Sequence, residues 1–119
     1  MKALGWIGRA KEDLLACPDE VVREVGHALY IAQLGSRHSS AKTLKGFGGA
    51  SVVEIVENHD GNTYRAIYTV RFANVVYVLH AFQKKSKSGI ATPMHEIARI
   101  RMRLKQAEEE YEIWRNAKR

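Results

Sequence analysis

The first third of the chain carries apolar residues at helical spacing, interrupted by two stop signals. Residues 4–7 predict a short strand, and residues 9–16 predict a first helix that ends at Cys17-Pro18. A second helix is predicted over residues 18–34, with proline in its first turn and Gly35 as its stop. Its apolar positions lie three and four apart, which favours packing through one face: Val21, Val22, Val25, Ala28, Leu29 and Ala32.

Residues 36–51 are predicted to form a loop, after which the pattern becomes β-rich. We predict strands over residues 52–58, 62–72 and 75–82. Asp60-Gly61 is a strong signal for a two-residue hairpin turn between the first two of these strands. Ala73-Asn74 is a weaker signal for a similar turn before the third.

A last helix is predicted to begin at Thr92-Pro93, with threonine as N-cap and proline at the first helical position. Its apolar residues again lie three and four apart: Ile97, Ile100, Leu104, Ala107, Tyr111 and Trp114. The element order predicts an α+β fold, β-α-α-β-β-β-α, with two N-terminal helices and one C-terminal helix on a small, mostly antiparallel sheet. The length suits one domain over residues 1–119, in which residues 106–119 form the distal helix and tail.

Two tight hairpins fix which strand residues share a face. If both turns have two residues, Ile67 lies between Glu54 and His80, and side chains alternate between faces. One face then carries the polar residues, with apolar neighbours among them: Glu54, Arg65, Thr69, Arg71 and His80, with Val52, Val56, Ile67, Val78 and Phe82. The other face is almost wholly apolar: Val53, Ile55, Tyr64, Ala66, Tyr68, Val70, Tyr77, Leu79 and Ala81. We predict that helices cover the apolar face and that the polar face is partly open.

The net charge of +6 is concentrated in one segment. Between His80 and Lys105 seven lysines and arginines oppose the single carboxylate of Glu96. Such a patch predicts a polyanionic partner, or an acidic protein that competes for the same surface. A merely solvated basic face is the simpler alternative.

Other site classes find no support in the sequence. Cys17 is the single cysteine, so no disulfide framework or thiolate cluster is possible. The five histidines lie on different predicted elements, without the spacing of metal ligands, and we predict neither a metal site nor a cofactor. No signal peptide or membrane span is present, which predicts a cytoplasmic protein with no membrane partner.

Several sequence motifs together resemble a known family. They are Trp6, Cys17-Pro18, Gly26, Leu29, Gln33-Leu34-Gly35, Leu44-Lys45-Gly46, Glu54-Ile55, the run from Tyr64 to Tyr68, and the run from Val78 to Ser86 followed by Thr92-Pro93. The pattern is similar to the phage-related HigB-type toxins of the RelE/ParE superfamily of type II toxin–antitoxin systems. The resemblance spans residues 6–105, and its most distinctive part is the stretch over residues 79–86.

The resemblance implies a toxin that cleaves messenger RNA on the ribosome and a cognate HigA-like antitoxin with a helix-turn-helix domain. One departure is clear: RelE proper has lysines on the strand before the Tyr-Arg strand, where this chain has Glu54 and Val56. The superfamily also includes gyrase inhibitors without nuclease residues. A non-enzymatic ParE-like toxin or binding module, or an inactive phage-derived relic, therefore stands as the alternative.

For metal-independent cleavage, the ribose 2′-hydroxyl attacks the neighbouring phosphate. We predict His80 as acid or base, with Glu54 as its partner, because imidazole titrates near neutral pH. Arg65, Lys84 and Lys85 are predicted to stabilise charge on the phosphate. The predicted RNA-binding cations are Arg71, Lys87, Lys42, Lys45, Arg99 and Arg103.

Overall fold

A computed structural model describes residues 1–84 and 92–117. Three helices and a five-stranded, mostly antiparallel sheet follow in this order: β1 (Ala3–Trp6), α1 (Ala10–Leu15), α2 (Asp19–Gln33), β2 (Ala41–Thr43), β3 (Val52–His59), β4 (Asn62–Thr69), β5 (Val75–Lys84) and α3 (Met94–Ala117). The predicted α+β class is confirmed. Every predicted helix and strand is present, and each differs from its predicted bounds by only a few residues.

The strands lie in the order β1-β5-β4-β3-β2, with β1 parallel to β5. Gly5 on β1 is paired with Tyr77 on β5. A Cβ atom added at Gly5 would lie 2.5 Å from the Tyr77 ring, so this position admits only glycine without rearrangement. The backbone of β1 at Gly5 therefore lies close against the Tyr77 ring of β5.

The first hairpin has the predicted geometry. Asp60 and Gly61 both have positive φ, 49° and 81°, as the two central residues of a type I′ turn require. Glu54 consequently pairs with Ile67 and Val56 with Arg65, in the predicted register. This turn fixes the alternation along both strands.

The second hairpin differs from the prediction. Its connection is longer than two residues, because Thr69 pairs with Tyr77, and a β-bulge then shifts the register between Ile67 and Tyr68. The two irregularities cancel, so Ile67 still pairs with His80 as predicted. Between Val75 and Leu79, the side chains of β5 therefore point to the faces opposite to those predicted.

The reversal corrects three side-chain placements. Tyr77 and Leu79 were predicted on the wholly apolar face, but they belong to the core beneath α3. Val78 was predicted on the polar face, but it belongs to the core beneath α1 and α2. Leu79 and His80 both face α3, because a bulge places two successive residues opposite one partner.

Helices cover both faces of the sheet, so the prediction of a partly open polar face is wrong. The helices α1 and α2 pack on one face, with a core that includes Leu14, Val25, Leu29, Ile55, Tyr68 and Val76. The helix α3 packs on the other, with Ile67, Tyr77, Leu79, Ile100, Leu104 and Tyr111. The polar residues predicted for the open face thus lie on the side of the sheet on which α3 packs.

The edge strand β2 was not predicted. It consists of three residues within the expected loop, and Lys42 at its centre pairs with Glu54 on β3. A strand this short has too few residues for alternation to be visible in the sequence. In the part of the chain that the structure describes, no helix combines the length and apolar character needed to span a membrane.

Candidate functional site

An ion pair between two neighbouring strands lies on the α3 face of the sheet. Arg65 on β4 donates from Nη1 to Oε2 of Glu54 on β3 over 2.8 Å. The same carboxylate oxygen accepts a hydrogen bond from the Thr92 hydroxyl over 3.1 Å. Both charged side chains are buried, with 5% and 11% of their side-chain surface exposed. Because this pair is buried, the arginine and the carboxylate are held in one geometry.

Thr92 does not cap α3 as predicted. The first helical hydrogen bonds run from the amides of Glu96 and Ile97 to the carbonyl of Pro93, and α3 begins at Met94. The Thr92 hydroxyl instead donates to Glu54. Thr92, two residues before the helix, therefore connects the start of α3 to the sheet.

A second polar group surrounds His80 on β5. Its Nε2 lies 2.8 Å from Oε2 of Glu96 on α3, and its Nδ1 lies 2.9 Å from Nη1 of Arg103, two turns along the same helix. Arg103 also donates to the carbonyl of Leu79 over 3.0 Å. The Phe82 ring stacks on the imidazole, with centroids 4.9 Å apart. His80 is only 2% exposed, and Glu96 and Arg103 are buried too.

The partners of His80 determine its tautomer. A guanidinium has donors and no acceptor, so Nδ1 of His80 must accept the hydrogen bond from Arg103. The neutral ring then carries its hydrogen on Nε2 and donates it to Glu96. A doubly protonated imidazole would set an N–H group against the N–H of Arg103. The contacts therefore favour the neutral ring.

The electrostatics at this position agree with the geometry. Burial lowers the pKa of His80, with Arg103 and Arg99 acting in the same direction, while the hydrogen bond and charge of Glu96 oppose them. Burial likewise lowers the pKa of Arg103, but a guanidinium stays charged at any relevant pH. His80 is thus held neutral between two charged residues of opposite sign.

Gly8, in the turn between β1 and α1, leaves space for Arg103. Its φ of 57° is one that glycine adopts readily. A Cβ atom at Gly8 would lie 3.1 Å from Nε of Arg103, closer than such contacts normally come. The N-terminal turn therefore supports the arginine that orients His80.

The other predicted site residues fall into three positions. Lys84 is buried at the end of β5, opposite Thr63 and on the same strand face as Phe82 and His80. Lys42, Lys45 and Arg99 are exposed, as a contact with RNA requires. Lys85 and Lys87 lie outside the described residues.

Two predicted RNA contacts are engaged within the protein. Arg71 pairs with Glu108 on α3 over 2.9 Å, although its side chain remains 34% exposed. Arg103 is 9% exposed and points at His80, so its expected surface position is wrong. Arg103 belongs to the buried cluster because α3 turns this side of its helical face to the sheet.

Sequence reasoning missed the roles of Glu96 and Thr92. Glu96 was visible only as the single carboxylate in a basic segment, which carries no information about its partner. Its spacing of seven from Arg103, two helical turns, puts these two residues on one side of α3. That spacing was the available signal. Within residues 1–84 and 92–117, no group of three or more potential ligands is placed to hold a metal ion.

Over residues 12–105, most of the chain, the sequence matches the family model described as "Phage derived protein Gp49-like (DUF891)". The chain belongs to this family. Gp49-like proteins are a RelE/HigB-like toxin family of toxin–antitoxin systems, and the fold of this Gp49-like chain is consistent with a small RelE-like domain. No match was found among curated proteins.

Proposed function

We propose that this Gp49-like protein is the HigB-type toxin of a type II toxin–antitoxin module and an endonuclease of messenger RNA on the ribosome. The observation that carries the proposal is the buried Arg65–Glu54 pair, which Thr92 contacts just before the basic half of α3. A guanidinium fixed by a carboxylate is suited to bind a phosphodiester in a defined orientation. The Gp49-like family supplies the toxin context. The proposed site of action is the cytoplasm, and the proposed partner is a HigA-like helix-turn-helix antitoxin.

The proposed reaction is a transesterification within the RNA. The 2′-oxygen of a ribose forms a bond to the adjacent phosphorus, and the bond from phosphorus to the 5′-oxygen breaks. One proton leaves the 2′-hydroxyl, and one proton is delivered to the departing 5′-oxygen. The products are a 2′,3′-cyclic phosphate and a free 5′-hydroxyl, and no atom is supplied from outside the RNA and the protein.

Arg65 occupies the centre of the proposed site. Glu54 lies on β3 and Lys84 on β5, the strands on either side of Arg65. Each is two residues along its strand from the residue that pairs directly with Arg65. Side chains at such diagonal positions lie about 7–8 Å apart at the backbone, within reach of a shared phosphate. Arg65 would stabilise the negative charge that develops on phosphorus. Glu54 would take the 2′-proton, and Lys84 would protonate the 5′-oxygen.

Exposed cations extend this site toward the surface. Lys42 lies directly across from Glu54 on the edge strand, and Lys45 and Arg99 are exposed as well. Such cations strengthen RNA binding without reading its sequence, and their contribution falls as salt is added. We propose that they guide the RNA backbone to Arg65.

Inducing the protein in cells and mapping the 5′ ends of transcripts tests the proposal. The parent should produce new ends confined to translated regions, and Arg65→Ala should abolish them. Arg37→Ala is the matched control, since Arg37 is an exposed arginine whose bonds go to Thr43 and Ala50. Intact transcripts with a DNA-damage response would overturn the nuclease and favour a gyrase inhibitor.

A further inference from the structure

The helix α3 is joined to the sheet at two points near its N-terminal end. Thr92 donates to Glu54 on β3, and Glu96 accepts from His80 on β5. Glu96 lies in the first turn of α3, whereas Thr92 lies two residues before the helix begins. The first contact involves a residue of the proposed reaction, whereas the second does not.

We propose that His80 is a neutral positioning residue, which with Glu96 and Arg103 fixes the start of α3 and thereby holds Thr92 on the Glu54 carboxylate. This inference rests on the proposed function for its effect on activity. It replaces the sequence-based expectation that His80 is the acid or base. The imidazole acts on the reaction through the helix and never contacts the RNA.

Both ring nitrogens of His80 are already engaged. To act as an acid, the Nε2–H must leave the Glu96 carboxylate at 2.8 Å; to act as a base, Nδ1 must displace the Arg103 donor at 2.9 Å. Phe82 stacks on the ring, and only 2% of the residue is exposed. In the part of the chain that the structure describes, the charged groups that act on the ring are Glu96, Arg103 and Arg99. Among the described residues, Glu96 and Arg103 occupy both ring nitrogens and Phe82 stacks on the ring, so His80 offers RNA no free nitrogen.

The same contacts make His80 effective at positioning. Glu96 and Arg103 lie seven residues apart, two helical turns, and both contact the one imidazole ring. Arg103 adds a hydrogen bond to the Leu79 carbonyl at the bulge. Two turns of α3 are therefore fixed to β5 in rotation and in height. Thr92 is joined to the start of α3 through Pro93, whose carbonyl accepts from the amide of Glu96, so fixing the helix also holds the Thr92 hydroxyl relative to β3.

A pair of substitutions separates positioning from acid–base chemistry. Glutamine is uncharged and does not titrate, but its amide can donate to Glu96 and accept from Arg103. His80→Gln should therefore keep kcat within about tenfold of the parent, with an unchanged pH profile. Loss of an acid or base costs about 10²–10⁴-fold. His80→Ala removes both contacts and should lose more activity than His80→Gln, through kcat more than through KM.

A spectroscopic measurement on the unmodified protein does not depend on nuclease activity. The ¹⁵N shifts of His80 should show a neutral ring with hydrogen on Nε2 at pH 7. A charged ring, or hydrogen on Nδ1, would overturn the inference. A 10²-fold or larger loss of activity in His80→Gln would also overturn the inference if one limb of the pH profile disappears and the melting temperature stays unchanged. If the protein cuts no RNA at all, the proposed function fails. The tautomer measurement then tests by itself whether His80 is a neutral ring held between Glu96 and Arg103.

Discussion

Two histidine–glutamate pairs, one on each side of the sheet, share a geometry and differ in their surroundings. His80 pairs with Glu96 and His38 with Glu24, each over 2.8 Å from Nε2. In both, Nδ1 accepts an N–H, from the Arg103 guanidinium in one and from the Ser40 amide in the other. The Glu96 side chain is 9% exposed, whereas that of Glu24 is 43% exposed.

The difference shows that hydrogen-bond geometry alone does not determine what a pair contributes. Water can replace the partner of a half-exposed carboxylate at little cost, but it does not reach a buried one. The His80 pair should therefore govern the stability of the α3 side, and the His38 pair should contribute little. We expect four measurements to sharpen the comparison of the α3 side with the rest of the molecule, given in order of decreasing effect.

Glu96→Ala should cause the largest loss. It leaves the Nε2–H of His80 buried without an acceptor, which costs about 3 kcal/mol of unfolding free energy. Glu24→Ala, the matched control on the other side, should cost less, because water can replace the half-exposed Glu24 carboxylate as acceptor for the buried His38. Urea denaturation of both variants at pH 8 measures the two losses. Equal losses would remove the contrast.

Gly5→Ala should be the next largest. The added Cβ would lie 2.5 Å from the Tyr77 ring in the core beneath α3, and such overpacking costs about 1–3 kcal/mol. Gly26→Ala on α2 meets no atom within 4 Å and should stabilise by about 0.5–1 kcal/mol. Thermal unfolding of the two variants should shift in opposite directions. An unchanged melting temperature for Gly5→Ala would show that β1 adjusts freely.

Stability should also fall on acidification. The pKa of His80 is lowered in the folded state, so the unfolded chain binds the proton more readily. The unfolding free energy is therefore highest above the unfolded pKa of about 6.5 and decreases below it, by at most about 1.4 kcal/mol per pH unit. His80→Gln should remove this part of the slope, whereas His38→Gln should retain it because His80 is still present. A slope unaffected by His80→Gln would contradict the neutral ring.

The smallest effect is expected at the exposed ion pair on the α3 side. Arg71 and Glu108 are 34% and 49% exposed, so Arg71→Ala should cost no more than about 1 kcal/mol. This cost should decrease in high salt because solvent ions screen the pair. Denaturation curves at low and high salt check both statements. A larger, salt-independent cost would place Arg71 with the buried residues.

The sequence predicts the elements well because local rules determine them. Asp60-Gly61 requires positive φ at two positions, and this fixes the register that brings Glu54 and Arg65 to one face. The bulge at Leu79 carries no glycine or proline, so no local pattern announces it. The bulge and the longer turn compensate each other in register, and this compensation exists only in the folded hairpin.

The burial of the site was not predictable from the same rules. The apolar stripe of α3 indicates that the helix packs on something, but periodicity does not say which face of the sheet it covers. Glu96 and Arg103 contact His80 only because α3 packs on the face of the sheet that carries it. Long-range pairing of single polar residues leaves no periodic signal. The sequence therefore predicted that Glu54, Arg65 and His80 share a face but not what covers them.

The most direct test of the whole account is cleavage by purified protein on a ribosome that holds a defined codon in its A site. We expect one cut in that codon, with a 2′,3′-cyclic phosphate on one product and a 5′-hydroxyl on the other. Glu54→Gln and Arg65→Ala should abolish the cut, and Arg37→Ala should retain it. Full cleavage by Arg65→Ala would contradict the assignment of the α3 face as the site.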